Sequence, residues 1–263
     1  MQQIRILQAT LDNLTMDEAL QHIDYLIRQK TPSYVVTPNM DHLAKLETLG
    51  ELRAAYAEAA LVLADGMPLL WIARSYKTPL KEKVSGSDLL PEICKLACEK
   101  NYRIFFLGAA QGIAAEAANR LERQYPGLQI AGTYSPPFGF ENDEEEVNKA
   151  IACVKKGAPD ILIVGLGCPK QEIFMHRYKS ELNVPVSLGL GASIDFEAGS
   201  AKRAPRLMQN LGLEWLHRLL GNPKRLGRRY LIDDTKTLFT ALRHRPSRPS
   251  STSQNKAQSG GTK

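Results

Sequence analysis

Short β-type apolar runs alternate along this chain with helical stretches, and that order constrains it to parallel βαβ units more tightly than any other feature. Tyr34-Val35-Val36, Leu61-Val62-Leu63-Ala64, Arg103-Ile104-Phe105-Phe106-Leu107, Leu128-Gln129-Ile130, Ile161-Leu162-Ile163-Val164 and Val184-Pro185-Val186-Ser187-Leu188 read as strands. Thr15-Met16-Asp17-Glu18 is a capping box that starts a helix toward Lys30. Further helical stretches run through Leu52 to Ala60, from about Met67 to Tyr76, and from the Ser85-Gly86-Ser87-Asp88 start to Lys100. Others run from about Gln111 to Tyr125, from Asn142, and from Pro169. The predicted fold is α/β, a Rossmann-like, doubly wound, mostly parallel sheet without internal repeats.

In such a sheet the side chains at the carboxyl ends of the strands converge on one crevice. Three polar clusters stand where apolar runs end: Thr37-Pro38-Asn39-Met40-Asp41, Ala64-Asp65-Gly66 and Gly165-Leu166-Gly167-Cys168-Pro169-Lys170-Gln171-Glu172. Asp65 at a strand end suits a general base, and equally suits a helix cap. Thr37 and Asn39 offer a hydroxyl and an amide to sugar hydroxyls or a base edge, or else to their own turn. Gly165-Leu166-Gly167 is half of a dinucleotide fingerprint, with Pro169 at the first helical position expected for it. A glycine turn leading into a proline-started helix beside Lys170 is a plausible diphosphate site, or simply a tight βα turn.

Charge divides the chain. The formal net charge is +6, but residues 1–199 carry 20 Lys/Arg against 25 Asp/Glu, and residues 200–263 carry 14 against 3. A basic segment on an acidic core points to an anionic partner. The expected organisation is an α/β catalytic core over 1–199, a basic helical appendage over 200–245, and a disordered Ser/Pro/Gly-rich tail over 246–263. Within the appendage, Leu207, Leu211, Trp215 and Leu219 mark one helical stretch and Pro223 to about Leu242 a second.

No apolar stretch is long enough for a transmembrane helix, and Met1–Arg5 has no signal-peptide character, so a cytoplasmic location is expected. Cys94, Cys98, Cys153 and Cys168 form no C-x-x-C pair, which argues against a disulfide framework or a structural zinc site. The five histidines lack metal-ligand spacing, and no Asp-x-Asp pair is present to hold a divalent ion against a nucleotide diphosphate.

Taken in order, Thr37-Pro38-Asn39-x-Asp41, Ala64-Asp65-Gly66, Gly86-Ser87-Asp88, Phe106-Leu107-Gly108, Pro136-Pro137-Phe138, Gly165-x-Gly167-x-Pro169-Lys170-Gln171-Glu172 and Arg203-Ala204-Pro205 resemble the WecG/TagA/CpsF glycosyltransferases, family 26. Leu213-Glu214-Trp215-Leu216-x-Arg218 and Arg225-Leu226-x-Arg228-Arg229-Tyr230 extend the resemblance, which covers roughly residues 5–240. It implies inverting transfer from a uridine-diphosphate sugar to a lipid-diphosphate-linked sugar at the inner membrane face. The nearest subgroup uses UDP-N-acetylmannosamine and undecaprenyl-diphosphate-linked N-acetylglucosamine, the linkage step of wall teichoic acid synthesis. A neighbouring subgroup uses the mannosaminuronic acid donor of common-antigen synthesis.

The resemblance makes Asp65 the base that deprotonates the acceptor hydroxyl. It places Thr37, Asn39 and Gln171 in the substrate pocket, while Gly167 and Lys170 belong to the candidate diphosphate turn read from the residues themselves. Arg218, Arg225 and Arg228 become the basic appendage that completes the site. Lys83 stands where arginine is expected, keeping the charge without the bidentate fork. No metal or cofactor is expected, so cations and helix amides must take the charge of the leaving diphosphate. The appendage's apolar stripe would rest in the membrane interface. Self-association is compatible with the sequence, and no nucleic-acid partner is expected. Two other functions fit parts of the chain. A nucleotide-dependent oxidoreductase lacks its third glycine and its distal acidic residue, and a nucleic-acid binder lacks interleaved aromatics.

Overall fold

The structure is a computed structural model that describes residues 1–243, apart from Leu211 and Asn222 and the side chains of Asn210 and Arg225. The expected tail over 246–263 lies outside the described residues. The chain opens with an antiparallel hairpin, β1 (Gln3–Ile6) and β2 (Ala9–Asp12), which precedes the strands read from the sequence. Helix α1 (Met16–Gln29) follows, with the Thr15/Glu18 capping box formed in full. Next come β3 (Ser33–Val36), α2 (Met40–Leu46), α3 (Gly50–Ala57), β4 (Leu61–Val62), α4 (Met67–Ser75), α5 (Gly86–Lys100), β5 (Arg103–Gly108), α6 (Ile113–Gln124) and β6 (Gln129–Tyr134). A 3₁₀ turn at Phe140–Asn142 leads to α7 (Glu144–Gly157), β7 (Ile161–Gly165), α8 (Lys170–Arg177), α9 (Lys179–Leu182), β8 (Val186–Gly189) and α10 (Ser193–Glu197).

Six strands form one parallel sheet in the order β4-β3-β8-β7-β5-β6. The predicted Rossmann-like α/β architecture is what the chain adopts. Because strand side chains alternate between faces, Tyr34, Val36, Leu107, Leu162 and Val164 bury against α2, α3, α4, α7 and α8. Val35, Leu63, Phe106, Ile163 and Leu188 bury on the other face against α1, α5, α6 and α10. The hairpin closes the first layer with Ile4, Ile6 and Leu11. Its buried Asp12 accepts a hydrogen bond from Val62 N at 2.8 Å, pinning the short edge strand that carries Asp65.

The stretch expected as one helix from Leu52 to Ala60 is shorter than read and is preceded by a separate α2. Beyond the sheet, α11 (Arg206–Asn210), α12 (Glu214–Gly221), α13 (Pro223–Arg228), a π-helix over Arg229–Asp234 and α14 (Thr235–Arg243) fold back onto α2 and α4. Ala241 is fully buried, and Tyr76 Oη donates to its carbonyl. Gly212, at φ +72°, lets the incoming loop meet Met67, where a Cβ would stand 2.8 Å from the Met67 Cβ.

Candidate active site

The carboxyl ends of β4, β3 and β8 meet at one edge-side crevice. Asp65 follows β4 by three residues, and its amide donates to Pro38 O at 2.9 Å, so the β3 and β4 turns are tied together. Two cavities open there. A narrow polar one of about 60 Å³ is lined by Thr37, Asn39, His42, Asp65, Gln171 and Arg218 among others. A larger one of about 270 Å³ lies between the core and the appendage, walled by Met40, Met67, Trp71, Trp215, Tyr230 and Leu238. Asp65, Asn39 and Arg218 belong to both.

Burial raises the Asp65 carboxyl to about 6, against the opposing pull of Arg218 and Lys83. That is a carboxylate poised to take a proton near neutral pH. Arg218 is delivered by α12 and lies over the Phe196 ring, 5.2 Å from its centroid.

A buried polar network sets these positions. Thr37 Oγ1 donates to Gly189 O at 3.1 Å. Gln171 Nε2 donates to Glu172 Oε1 at 2.7 Å, while Gln171 Oε1 accepts from Gly191 N at 3.1 Å, fixing the turn after β8. A Cβ on Gly189 would stand 2.8 Å from Met175 and 3.1 Å from the Gln171 amide, so only glycine fits beneath this network. His42 bridges Glu172 Oε1 at 3.2 Å and Asn39 Oδ1 at 2.9 Å. Burial opposes its charge, but hydrogen bonds with Cys168 and Glu172 outweigh that and hold its pKa well above the ordinary value. Asn39 Oδ1 also accepts from Asp41 N at 3.1 Å, which leaves the Asn39 amide nitrogen for a ligand.

The comparisons with known proteins bear on this geometry directly. The model of the glycosyl transferase WecG/TagA/CpsF family matches residues 4–251. The chain belongs to that family. It is a glycosyltransferase. An N-acetylglucosaminyldiphosphoundecaprenol N-acetyl-beta-D-mannosaminyltransferase of Bacillus spizizenii is 34% identical over 233 residues, 88% of each chain. A protein of the same name from Staphylococcus aureus is 29% identical over 227 residues, 86% of this chain and 87% of its own.

Within this glycosyltransferase the residues singled out from the sequence separate into groups. Asp65, Thr37, Asn39, Gln171 and Arg218 are gathered around the two cavities. Thr37 and Gln171 are buried and already bonded to the turn after β8, so they shape the narrow cavity from within. Lys83 faces carboxylates: its Nζ lies 3.1 Å from Asp88 and 3.4 Å from Glu214. Lys170 lies outside both cavities, in an ion pair with Glu141 and 4.5 Å from the centroid of the Phe138 ring. Gly167 turns the chain at φ +76° but lines neither cavity, and Pro169 stands at the N-cap of α8 rather than inside it. Arg228 is exposed and also lines neither, while the side chain of Arg225 lies outside the described residues.

Arg229, quoted from the sequence in its motif but given no role, and Asp234, not singled out there at all, both line the larger cavity. Arg229 Nε is 3.5 Å from Asp41 Oδ1, and its guanidinium reaches Asn39 Oδ1 at 3.5 Å. A helical period of 3.6 cannot single out Arg229 from Arg225 or Arg228, because the winding changes at Arg229 itself. Glu214 was quoted for its motif but given no role. Glu172 was legible only as part of a turn and His42 only as one of the scattered histidines, since the two pair across 130 residues of sequence. Asp41, His42 and Cys168 bring one ligand atom each to within 4.8 Å of one another, a set that could hold a metal ion. Lys45 and Arg229 already pair with Asp41 and would compete with such an ion.

Proposed function

We propose that this glycosyltransferase moves N-acetylmannosamine from UDP-N-acetylmannosamine to undecaprenyl-diphosphate-linked N-acetylglucosamine; the transferred sugar and the acceptor are those its relatives' names state for them. One observation carries the chemistry: Asp65 stands in the wall shared by two cavities, where a base must stand to serve a donor on one side and an acceptor on the other. The Asp65 carboxylate takes the proton of the acceptor hydroxyl as that oxygen bonds to the anomeric carbon from the face opposite the leaving group. The bond from that carbon to the diphosphate breaks, UDP leaves with the electron pair, and the configuration inverts.

Arg218, common to both cavities, supplies cationic charge to the departing diphosphate. No metal is assigned a part in this scheme. The larger cavity is the acceptor side. Its wall residue Leu231 is also exposed, and we propose that it forms one apolar ridge with the appendage's other exposed apolar residues, Leu220, Ile232, Phe239 and Leu242, which are interspersed in sequence with exposed Lys224, Arg228, Lys236 and Arg243. Among the described residues no helix is long and apolar enough to cross a membrane. A ridge of this composition fits peripheral contact with an anionic bilayer that presents the lipid-linked acceptor. Trp215, expected on the membrane-facing stripe, instead lines the cavity.

The test is a panel of UDP-sugars, the mannosaminuronic acid donor included, with a short-chain lipid-diphosphate N-acetylglucosamine acceptor, run with and without EDTA. UDP release and a new disaccharide with the N-acetylmannosamine donor, undiminished by chelation, is the expected result. Product only with a different donor would reassign the sugar, and magnesium-reversible loss in EDTA would assign a metal.

A further inference from the structure

Arg229 and Asp234 stand five residues apart at the two ends of the π-helix. An α-helix would set residues five apart roughly 140° around its axis, whereas i→i+5 winding returns them to nearly the same side. The result is visible: Arg229 Nε lies 4.0 Å from Asp234 Oδ2, and both side chains line the larger cavity. Arg229 is in turn anchored to Asp41 of α2, so the pair is fixed to the core beside Asn39 and not merely to the appendage.

Asp234 Oδ1 is buried and has no hydrogen-bond partner, whereas Oδ2 faces the guanidinium. A buried carboxylate oxygen without a donor is costly, and the Asp234 side chain that carries it lines a cavity also walled by Trp71, Trp215 and Tyr230. Aromatic faces with a carboxylate at their edge suit a sugar, whose C–H surfaces lie on the rings while its hydroxyls donate to the acid. The reading rests on the transferase function proposed above, in which this cavity takes the acceptor.

We propose that Asp234, held by Arg229 across the π-turn, binds the acceptor sugar by accepting a hydrogen bond from one of its hydroxyls. Asp65 serves the reacting hydroxyl, and Asp234 recognises another. The π-helix is then the device by which the appendage contributes acceptor specificity. The carboxyl's upward shift to about 6 by burial agrees with a group short of donors in the free protein.

The experiment titrates the short-chain acceptor at saturating UDP-N-acetylmannosamine with wild type, Asp234→Asn and Asp234→Ala. Losing a hydrogen bond to a charged group should raise the acceptor KM about tenfold or more in Asp234→Ala, with the donor KM within about twofold of wild type. Acceptor analogues lacking single hydroxyls refine this: one should lose as much with wild type as Asp234→Ala loses with the intact sugar, and lose little more with the variant. The isosteric Asp234→Asn covers the case in which the alanine variant fails to fold. Unchanged acceptor KM in folded variants, or donor and acceptor KM rising together, overturns the role of Asp234. An absence of wild-type product would instead overturn the transferase reading on which the role depends.

Discussion

Lys83 Nζ and Glu214 Oε2 lie 3.4 Å apart across the junction between the core and α12. Arg203 and Asp88 complete the cluster: Arg203 pairs with Asp88 and lies 3.8 Å from Glu214. Arg218 follows Glu214 by one helical turn and lines both cavities. Lys83 therefore holds the foot of the helix that presents Arg218, besides its direct pull on the Asp65 carboxyl.

Removing that cation leaves Glu214 and Asp88 facing each other with only Arg203 to neutralise them. Lys83→Met should loosen α12 at a cost of roughly 1–3 kcal/mol, the range for a part-buried charge left without one partner. We expect faster proteolysis between residues 199 and 213 and a fall in kcat/KM, with Lys83→Arg restoring most of both. Undisturbed proteolysis in Lys83→Met would show that the clasp does not hold the appendage.

The raised carboxyl of Asp65 predicts opposite effects on activity and stability. The base works as the carboxylate, so kcat/KM should fall about tenfold per pH unit below an apparent pKa near 6 and level off above it. For stability, a carboxyl whose folded pKa is raised from 3.8 holds a proton that the unfolded chain has released. Folding stability is therefore lost as pH rises from about 4 to about 6, and stays lost at neutral pH. Asp65→Asn should be more stable than wild type at pH 7, by up to ~3 kcal/mol, and no more stable at pH 3. Equal melting temperatures at pH 7 would contradict this burial account.

Much of this site could be read from the chain because the relevant side chains sit at the ends of short apolar runs, where sheet geometry dictates convergence. Asp65, Thr37 and Asn39 are of this kind. Lys170 stands apart from both cavities for a physical reason: a cation beside a helix start can serve an anion, and here Glu141, 29 residues earlier, pairs with it. The Arg229–Asp234 pair needed the π winding, and the Glu214 clasp needed a contact 131 residues apart, neither of which has a periodic signature. The hairpin's β2 was missed because Ala9-Thr10-Leu11-Asp12 is short and ends in a charged residue whose burial is justified by donors from Gln3 and the distant Val62.

The exposed apolar ridge predicts a separable membrane function. Replacing Ile232, Phe239 and Leu242, which are exposed and line neither cavity, together by serine should abolish binding to anionic vesicles, since each large apolar side chain buried contributes about 1.5–3 kcal/mol. Activity on a soluble short-chain acceptor should change little. Charge removal at Lys224 or Lys236 should weaken vesicle binding by ~1 kcal/mol each, and less at high salt. Full vesicle binding by the triple variant, measured by cosedimentation, would place the membrane contact elsewhere.

The central claim is that Asp65 is the base for sugar transfer, and single-turnover and steady-state rates of Asp65→Asn and Asp65→Ala with UDP-N-acetylmannosamine and the soluble acceptor test it most directly. The expected result is turnover lower by on the order of 100-fold or more, with the donor KM within about twofold of wild type and the fold intact by circular dichroism. Near-normal turnover in either folded variant would contradict it and remove Asp65 from the reaction.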